Sequence, residues 1–552
     1  MSKKSQQIPN DCILNILKYL YKDHKTLFSC LLINKQWCEI TIPILWRKPW
    51  KLGISPEFWE FITDALILCL SDYSKQVLHI NGIISSTILS QKPKFDYISY
   101  IKYISQDIIT KFVNNYITIN FEEDTFSSMH KNLLFEEIWK MFLNQCISLK
   151  SITLPNIKIV DYLDKNNCLK YIKKLKCSTD IESSLFFDLS KICQNISKLI
   201  IIQNRNLKDD EMGLNTLIES QINLEEIKIE SFMNIENLSL AKSLRSHINS
   251  LKSITLKNFN SLPSPLFQDA EFPNLKILKI KLINNLKILD TIKLPNLEIL
   301  EILNNSSLID QTIDLYSKLI SSSINGNLKK INIEVSNDQC FDDLKEFIEI
   351  ITNYCNKIEY LTLWINDKLI NNLENLLINC KNLKHLTLNK AIDLDWELVD
   401  DEFNNLDDIE IKSNDSSGSG SGGESNLSEN GRCSLGVSNQ SNERKKVNEN
   451  SWLEFLTKSV GIGVQTNEFK FLNTLATHSS NNLSEIIIRG DWNFTRKDLV
   501  KFFEIWKEKN SNSLKFQIVN NKTPIETIND VCRKYAEEGI LKDWLAYKYN
   551  RI

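Results

Sequence analysis

Cysteine and histidine are the residue types in this chain that could hold a metal ion or act as nucleophiles. The sequence contains 13 cysteines and 6 histidines. A structural zinc site needs four such side chains, usually with short spacings such as Cys-x-x-Cys. The chain has no Cys-x-x-Cys pair, and its histidines do not cluster at ligand spacing. We therefore expect no metal, with zinc as the alternative use of these thiols.

Four of the cysteines instead occupy one repeated place, three residues before a leucine or isoleucine. They are Cys146, Cys193, Cys355 and Cys380. A free cysteine behaves as a small apolar residue, so this position is typical of the core at the end of a helix. Because the opening residues Met1–Gln7 are polar and lack the apolar centre of a signal peptide, we expect reduced thiols rather than disulfides.

The sequence contains no motif for phosphate binding or catalysis in a suitable structural context. Gly418, Gly420 and Gly423 have Gly-x-Gly-x-x-Gly spacing, but they lie in a Ser/Gly-rich stretch without the flanking strand and helix that a nucleotide site needs. No Walker-type loop and no Gly-x-Ser-x-Gly elbow occur. Acidic pairs such as Asp209–Asp210 are typical of solvated loops. We predict a protein that is not an enzyme and that has no cofactor.

The overall charge excludes two classes of partner. The chain has 66 basic and 69 acidic residues among 552, mixed throughout, and a net charge of −3. Such a balance provides no general attraction for nucleic acid or an anionic membrane. Apolar runs such as Ala65–Leu70 are too short to cross a bilayer. We expect a globular protein of the cytoplasm or nucleus.

The first fifty residues form three short amphipathic patterns. Pro9 suits a first helical turn, where Asn10 or Asp11 could cap the free amides, and an apolar face follows from Ile13 to Leu20. The second pattern, 27–33, is apolar nearly all round, which predicts burial on more than one side. In the third, Pro43 is expected to end the helix. So small a unit has a thin core, and a partner protein would help to cover it.

At these residues the chain resembles the F-box family. The positions that carry the resemblance are Ile8, Pro9, Asp11, Ile13, Ile16, Leu17, Leu20, Leu27, Cys30, Leu31, Ile33, Asn34, Trp37 and Trp46. The resemblance implies binding to the small Skp-type adaptor, and through it to the cullin and RING subunits of a ubiquitin ligase. It assigns the adaptor-binding surface to Ile8, Pro9, Ile13, Ile16, Leu17, Leu31 and Ile33. The alternative is an ordinary helical N-terminus with a closed core.

A second pattern repeats along the chain as anchor-x-x-apolar-x-apolar. It comprises Leu149/Ile152/Leu154, Ile172/Leu175/Cys177, Ile196/Leu199/Ile201, Leu224/Ile227/Ile229, Leu251/Ile254/Leu256, Leu275/Leu278/Ile280, Leu297/Leu300/Ile302, Leu328/Ile331/Ile333, Ile358/Leu361/Leu363, Leu383/Leu386/Leu388 and Leu406/Ile409/Ile411. The last two members alternate, which predicts one buried face of a short strand. The spacing is close to that of leucine-rich repeats.

Helical patterns separate the triplets, for example Phe341 to Tyr354 and Leu369 to Leu377. A strand and a helix cannot bury their own apolar faces, so stacked units should form an α/β solenoid with a curved parallel sheet. This part resembles the irregular, cysteine-containing leucine-rich repeats that often follow an F-box. A generic α/β protein is the alternative.

Polar residues have regular places in these repeats. Asparagine precedes the anchor in several of them, as at Asn274, Asn296 and Asn382, where its side chain could bond nearby backbone in the turn. The position between the two strand residues should point out of the sheet toward a protein target. The residues at this position are of mixed chemistry: Lys228, Thr255, Lys279, Glu301, Asn332, Thr362 and Thr387.

We divide the chain into five segments. They are an F-box at 1–50, a helical connector and cap at 51–145, leucine-rich repeats at 146–412, a disordered Ser/Gly/Asn-rich insertion at 413–450, and final repeats with a cap at 451–552. Val77–Ile80 in the connector is a candidate first repeat strand.

The function expected from the resemblance is that of a substrate-recognition subunit of an SCF-type ubiquitin ligase. The repeats would bind a target protein whose identity the sequence does not indicate. A protein-interaction scaffold outside a ligase is the alternative.

Overall fold

A computed structural model describes most of the chain. The described residues are 8–21, 23–51, 56–121, 128–155, 167–204, 212–231, 238–303, 313–322, 326–334, 341–391, 466–509, 512–520 and 522–547. The predicted insertion at 413–450 and the triplet Leu406/Ile409/Ile411 lie outside them.

Helices alternate with strands along most of the described chain. The α-helices are α1 Asn10–Tyr19, α2 His24–Leu31, α3 Lys35–Leu45, α4 Pro56–Leu68, α5 Asp72–Ile80, α6 Ser86–Leu89, α7 Gln106–Asn120, α8 Ser128–Gln145, α9 Ser183–Ile192, α10 Met212–Glu219, α11 Leu238–Arg245, α12 Ser264–Phe267, α13 Ile313–Ser322, α14 Phe341–Tyr354, α15 Ile370–Asn379, α16 Asn467–His478, α17 Arg496–Lys509 and α18 Ile525–Glu537. Short 3-10 turns are Pro49–Lys51, Ile98–Tyr100, Asn167–Tyr171, Lys287–Thr291 and Asp367–Leu369. None of the helices in the described ranges is long and apolar enough to cross a membrane.

The strands form one parallel sheet whose spatial order is the order of the sequence. They are β1 Tyr103–Ile104, β2 Ser151–Thr153, β3 Lys174–Ser178, β4 Lys198–Gln203, β5 Glu226–Ser231, β6 Ser253–Ser261, β7 Ile277–Asn285, β8 Ile299–Leu303, β9 Lys330–Ile333, β10 Tyr360–Ile365, β11 His385–Lys390, β12 Glu485–Arg489, β13 Leu514–Val519 and β14 Leu541–Tyr547. Every strand therefore pairs only with its neighbours in sequence, as in a solenoid. The expected architecture, a three-helix unit followed by a curved parallel α/β solenoid, is confirmed.

The core of the solenoid is built from two aligned rows of apolar side chains. In the pairing register Leu199 lies beside Ile227, Ile227 beside Ile254, and Ile254 beside Leu278. All four side chains are buried. Burying one leucine or isoleucine stabilises a fold by about 1.5–3 kcal/mol, so each added coil extends a continuous core. The triplets from Leu149/Ile152/Leu154 to Leu383/Leu386/Leu388 therefore predicted strands β2 to β11, whereas no triplet predicted β1 or β14.

Polar side chains join successive coils, although not as the sequence pattern suggested. Asn274 Nδ2 donates to the carbonyl oxygen of Asn249 at 2.7 Å, and Asn296 Nδ2 donates to that of Pro273 at 2.8 Å. The expectation that each asparagine bonds its own turn is wrong at these positions, because the acceptor belongs to the preceding coil. These bonds satisfy carbonyl groups at the ends of the coils, where no strand partner is present.

The buried cysteines play a similar part in the core. Cys193 Sγ donates to the carbonyl oxygen of Leu169 at 3.4 Å, and Cys146 Sγ donates to that of Ile98 at 3.4 Å. Burial raises the pKa of the Cys193 thiol to about 12. Among the described residues, no group of His, Cys, Asp and Glu side chains is arranged as a metal site.

Two local predictions in the N-terminal part are wrong. Pro43 lies inside α3 rather than at its end, and the amide of Trp46 still donates to the carbonyl oxygen of Ile42 at 2.9 Å. The missing proline amide leaves the carbonyl of Glu39 without its helical donor, on an exposed residue that water can solvate. Val77–Ile80 belongs to α5 and not to a strand; the first strand is instead β1.

Candidate functional site

The N-terminal three-helix unit is held together by side-chain caps. Asp23 accepts hydrogen bonds from the amide and the hydroxyl of Thr26, at 3.1 Å and 2.6 Å, and these bonds lower the pKa of its carboxyl group. Asn34 Oδ1 accepts from the amide of Trp37 at 3.0 Å. These contacts fix the first turns of α2 and α3. They also fix the short segment between the two helices, which contains Leu32 and Ile33.

A third contact brings the start of α1 to α3. Gln36 Nε2 donates to the carbonyl oxygen of Ile8 at 2.9 Å and to Asn10 Oδ1 at 2.7 Å. The side chain of Asn10 therefore bonds Gln36, and Pro9 is the N-cap residue of α1 without a side-chain cap bond. This bond brings Ile8 to the first turn of α3, the helix that follows Ile33 in the sequence.

The structure divides the seven predicted adaptor-binding residues into two groups. Ile13 and Leu17 are fully buried in the core of the unit, so the expectation that they face a partner is wrong. Ile8, Ile16 and Ile33 are 46%, 44% and 54% exposed. Pro9 is also exposed, and Leu31 is partly buried. The exposed members and Leu31 remain candidates for the predicted docking surface, and the two buried residues belong to the core of the unit.

Exposed apolar residues form a continuous pattern along α1. Cys12, Ile16 and Tyr19 are spaced by four and three residues, which places them on one helical stripe. Tyr19 is 90% exposed, although large aromatic side chains are usually covered. With Ile8 and Ile33 at one end, these residues make up what we term the apolar stripe. An exposed apolar surface of this kind marks an interaction site.

The second helix is also less covered than its composition predicts. Leu27 and Cys30 are buried, but Leu32, just after α2, is 88% exposed. The expectation that 27–33 is buried on several sides is therefore wrong for this chain alone. The apolar positions of α2 exceed what α1 and α3 can cover.

The comparison of the sequence with family models decides the nature of this unit. The F-box-like family model matches residues 5–51. The chain carries an F-box-like domain. The resemblance drawn from Ile8 to Trp46 is thereby confirmed for this domain, and the described strands that follow it form a parallel α/β solenoid of the kind expected for leucine-rich-type repeats.

Two other comparisons were made. A search of solved structures matches the crystal structure of a TLR13–ssRNA13 complex, with 11% sequence identity and a TM-score of 0.25. The match covers 83% of this chain and 66% of that chain. The assignment of the fold does not depend on this match but on the strand order and register. A search of curated proteins finds no match.

The F-box-like domain is fixed against the first coils of the solenoid. The ring of Trp46 lies 4.1 Å from that of Tyr97, measured between centroids, and the amide of Lys102 donates to the carbonyl oxygen of Arg47 at 3.1 Å. Phe28 on α2 makes an edge contact with Phe58 on α4, with centroids 6.2 Å apart. Trp46, the late tryptophan of the F-box pattern, therefore lies at the contact between the two parts of the chain.

A second candidate surface is the side of the sheet opposite the helices, which we call the open face. Its side chains come from the second and fourth positions after each anchor. Glu301 is central to it, accepting from Lys279 Nζ at 2.8 Å and from Lys330 Nζ at 2.6 Å. Burial opposes ionisation of Glu301, but the two lysines outweigh it and lower the pKa of this carboxyl group.

An aromatic stack continues this network. The rings of Tyr360 and His385 are stacked with centroids 4.2 Å apart, and Lys330 Nζ lies 5.8 Å from the centre of the Tyr360 ring. His385 Nδ1 lies 2.5 Å from Glu485 Oε2, and Lys515 binds the same carboxylate at 2.9 Å. Of the outward-pointing residues expected to face a target, Lys279 and Glu301 form an ion pair, and Thr362 Oγ1 donates to Asn332 Oδ1 at 2.9 Å.

The sequence reading missed three features of these surfaces. Tyr19 was not assigned to the docking surface, although its spacing from Cys12 and Ile16 could have indicated it. No sequence pattern indicated the hydrogen bonds of Gln36, because its partners lie at the start of α1, far away in the sequence. The pairing of lysines with glutamates across coils could have been inferred by aligning the positions that follow each anchor.

Proposed function

We propose that this chain is a substrate-recognition subunit of an SCF-type cullin-RING ubiquitin ligase. The observation that carries the proposal is the apolar stripe on a domain that matches the F-box-like family. F-box domains bind Skp-type adaptors, and an adaptor would cover Ile8, Pro9, Ile16, Leu31 and Ile33. The cullin and RING subunits would join through the adaptor, in the cytoplasm or nucleus.

The role of the solenoid in this proposal is to hold a target protein. Its open face is long and charged, and the first strand adjoins the F-box-like domain through the contacts of Trp46 and Arg47. A bound target would be kept near the ubiquitin-charged enzyme, which raises the effective concentration of its lysines. No acid–base group of this chain is needed, so we propose a non-catalytic role that leads to degradation of the target.

Adaptor binding is tested with two substitutions on the apolar stripe. Ile16→Asp and Ile33→Asp place a charge where an apolar contact is expected. Each should weaken adaptor binding by about 30-fold or more, the size of a hot-spot loss of about 2 kcal/mol. Titration calorimetry with purified adaptor measures the affinity. Both side chains are exposed, so the melting temperature of the free chain should stay unchanged.

The matched control is Ile80→Asp, which makes the same change at an exposed isoleucine on α5. Its adaptor affinity should equal that of the unchanged chain. Equal affinity for all three variants would end the adaptor proposal. A separate measurement, co-purification of the cullin from cells, distinguishes a ligase subunit from a scaffold: a chain that captures the adaptor but never the cullin would be the scaffold.

A further inference from the structure

The lysines of the open face are distributed unevenly along the sheet. From β6 onward several of them share carboxylates: Lys279 and Lys330 both bind Glu301, at 2.8 Å and 2.6 Å. The end nearest the F-box-like domain is different. There Arg47, Lys48, Lys102, Lys150, Lys174 and Lys176 lie on or beside β1–β3, and none of the six pairs with a carboxylate of the described chain. We call these six residues the basic patch.

Several contacts show that the members of the basic patch lie close together. Lys48 Nζ lies 5.2 Å from the centre of the Tyr103 ring, and Tyr103 pairs in register with Ser151, which pairs with Lys174. Lys174 and Lys176 are two residues apart on one strand, so their side chains point to the same side. Lys150 Nζ lies 5.7 Å from the centre of the Tyr171 ring.

The charges in the basic patch disfavour one another. Partial burial lowers the pKa of Lys174, and the neighbouring lysines Lys198 and Lys176 lower it further. The pKa of Lys48 is lowered by partial burial, then by Lys51 and Lys174. Glu226 raises the pKa of Lys174 and offsets part of this effect, but the lysines outweigh it. Such an excess of like charge favours binding of an anion that neutralises it.

We propose that the basic patch binds an acidic segment of a protein target in extended conformation. Neighbouring strands are about 4.8 Å apart, so β1 to β3 span about 10 Å, the length of about three extended residues. Lys174 and Lys176 follow one another along β3, across the direction of such a segment, so both can contact it where it crosses this strand. This proposal rests on the proposed function, in which an acidic segment would be the feature of the target that the ligase subunit recognises.

Acidic side chains limit the patch on its other side. Glu225, Glu226 and Glu230 lie on or beside β5, where they pair with Lys252, Lys198 and Lys228. A long polyanion such as nucleic acid would run from the basic patch onto these carboxylates. A short acidic segment of protein fits between them and the F-box-like domain. The net charge of −3 for the whole chain thus conceals a local positive surface.

The test uses the full chain and a labelled ten-residue peptide with alternating Asp and Glu, measured by fluorescence anisotropy at low and high salt. A peptide with Asn and Gln in their place should not bind. The pair Lys174→Glu and Lys176→Glu should weaken binding about tenfold or more, since it replaces attraction by repulsion. A milder pair, Arg47→Gln and Lys48→Gln, should weaken it with less risk to the fold.

The matched control is Lys345→Glu with Lys497→Glu, which makes the same charge change on exposed helical positions. It should bind the acidic peptide as the unchanged chain does. Equal loss in the control, or equal binding of the neutral peptide, would overturn the proposal. Tighter binding of a single-stranded oligonucleotide than of the peptide would also overturn the proposal, if the Lys174→Glu/Lys176→Glu variant no longer binds the oligonucleotide.

The same variants separate this inference from the proposed function. Adaptor binding should be unchanged in the Lys174/Lys176 pair, because the apolar stripe is not altered. Loss of the peptide interaction with adaptor binding retained would confirm the assignment of the patch. A chain that binds the acidic peptide and not the adaptor would retain the patch and refute the ligase role.

Discussion

The side-chain amide of Gln36 holds the backbone of Ile8 through a hydrogen bond of 2.9 Å. This bond ties the first residue of the apolar stripe to α3, and the same nitrogen also bonds Asn10. The position of Ile8 thus depends on a residue that is outside the stripe.

Substitution of Gln36 by alanine should weaken adaptor binding although Gln36 is not assigned to the stripe. Loss of the two hydrogen bonds should lower the free energy of unfolding by about 1 kcal/mol, because each bond is exposed to water. Adaptor affinity, measured by calorimetry, should fall several-fold as Ile8 becomes free to move. Lys35→Ala is the control, since its ion pair with Glu39 is exposed and contributes little. Unchanged affinity for Gln36→Ala would show that Ile8 is not part of the adaptor contact.

Cysteine alkylation gives a footprint of the docking surface that needs no substitution. Cys12 is exposed on the apolar stripe, whereas Cys193 is buried with its thiol pKa raised to about 12. Because the thiolate is the reactive form, we expect iodoacetamide at neutral pH to label Cys12 and spare Cys193 in the native chain. Bound adaptor should slow the labelling of Cys12, as measured by mass spectrometry of the peptides. Labelling of Cys12 at the same rate with and without adaptor would place the adaptor elsewhere.

Gln221 should be among the most sensitive polar positions of the solenoid. Its amide nitrogen donates to the carbonyl oxygen of Cys193 at 2.7 Å, and its Oε1 accepts from the amide of Ile196 at 2.9 Å. Gln221→Leu leaves both buried backbone groups without this partner. We expect a loss of about 2–4 kcal/mol in the free energy of unfolding, measured by urea denaturation. Gln194→Leu, the same change on an exposed side chain, should alter it by less than about 0.5 kcal/mol.

The buried thiols should make the fold less stable in alkali. Burial raises the Cys193 pKa from 9.0 to about 12, so between these values the unfolded chain binds fewer protons than the folded one. Stability from this thiol is fully present below pH 9 and falls by about 1.4 kcal/mol per pH unit above it. Cys193→Ala should therefore lose less stability between pH 8 and pH 10 than the unchanged chain, by about 1 kcal/mol.

The loss of stability between pH 8 and pH 10 is compared between Cys193→Ala and the unchanged chain. The cavity that alanine leaves costs the same free energy at both pH values, so this cost cancels in the comparison. Urea denaturation with reducing agent present supplies the four free energies. Equal alkaline losses in both chains would mean that Cys193 titrates alike in the folded and unfolded states.

Residues 393–464 should be removable without loss of the solenoid. Strand β11 pairs directly with β12 in register, and Asn467 Nδ2 donates to Asp367 Oδ2 at 3.1 Å at the start of α16. The coils on either side are therefore already in contact. Replacement of 393–464 by a short Gly/Ser linker should keep the melting temperature within a few degrees, about the effect of a surface change. A fall of more than about 10 °C would show that this segment stabilises the sheet.

Repeat strands could be predicted from the sequence because two apolar positions per coil suffice to define a buried face. Val77–Ile80 has a similar composition, yet it lies in a helix. The hydroxyl of Ser71 accepts from the amide of Ser74 at 3.0 Å and caps α5, and a cap decides between helix and strand where periodicity is short.

The docking surface could be predicted only in part. An apolar pattern indicates which residues prefer burial, but it does not indicate which of them the chain itself can cover. Ile13 and Ile16 are both isoleucines on α1, one fully buried and one 44% exposed. Their difference depends on which face of α1 packs against α3 and the rest of the core, and those contacts join residues that are distant in the sequence.

The order of the strands sets how far each position on the open face lies from the F-box-like domain. Neighbouring strands are about 4.8 Å apart, so the sheet from β1 to β14 extends roughly 60 Å along its curve. A segment bound at the basic patch would lie within about 20 Å of the F-box-like domain, and one bound near β12–β14 would lie some three times farther away. In the proposed ligase role, two targets bound at different strands would therefore hold their lysines at different distances from the ubiquitin-charged enzyme. In each target, the modified lysines would then lie at a different separation from the segment that the open face recognises.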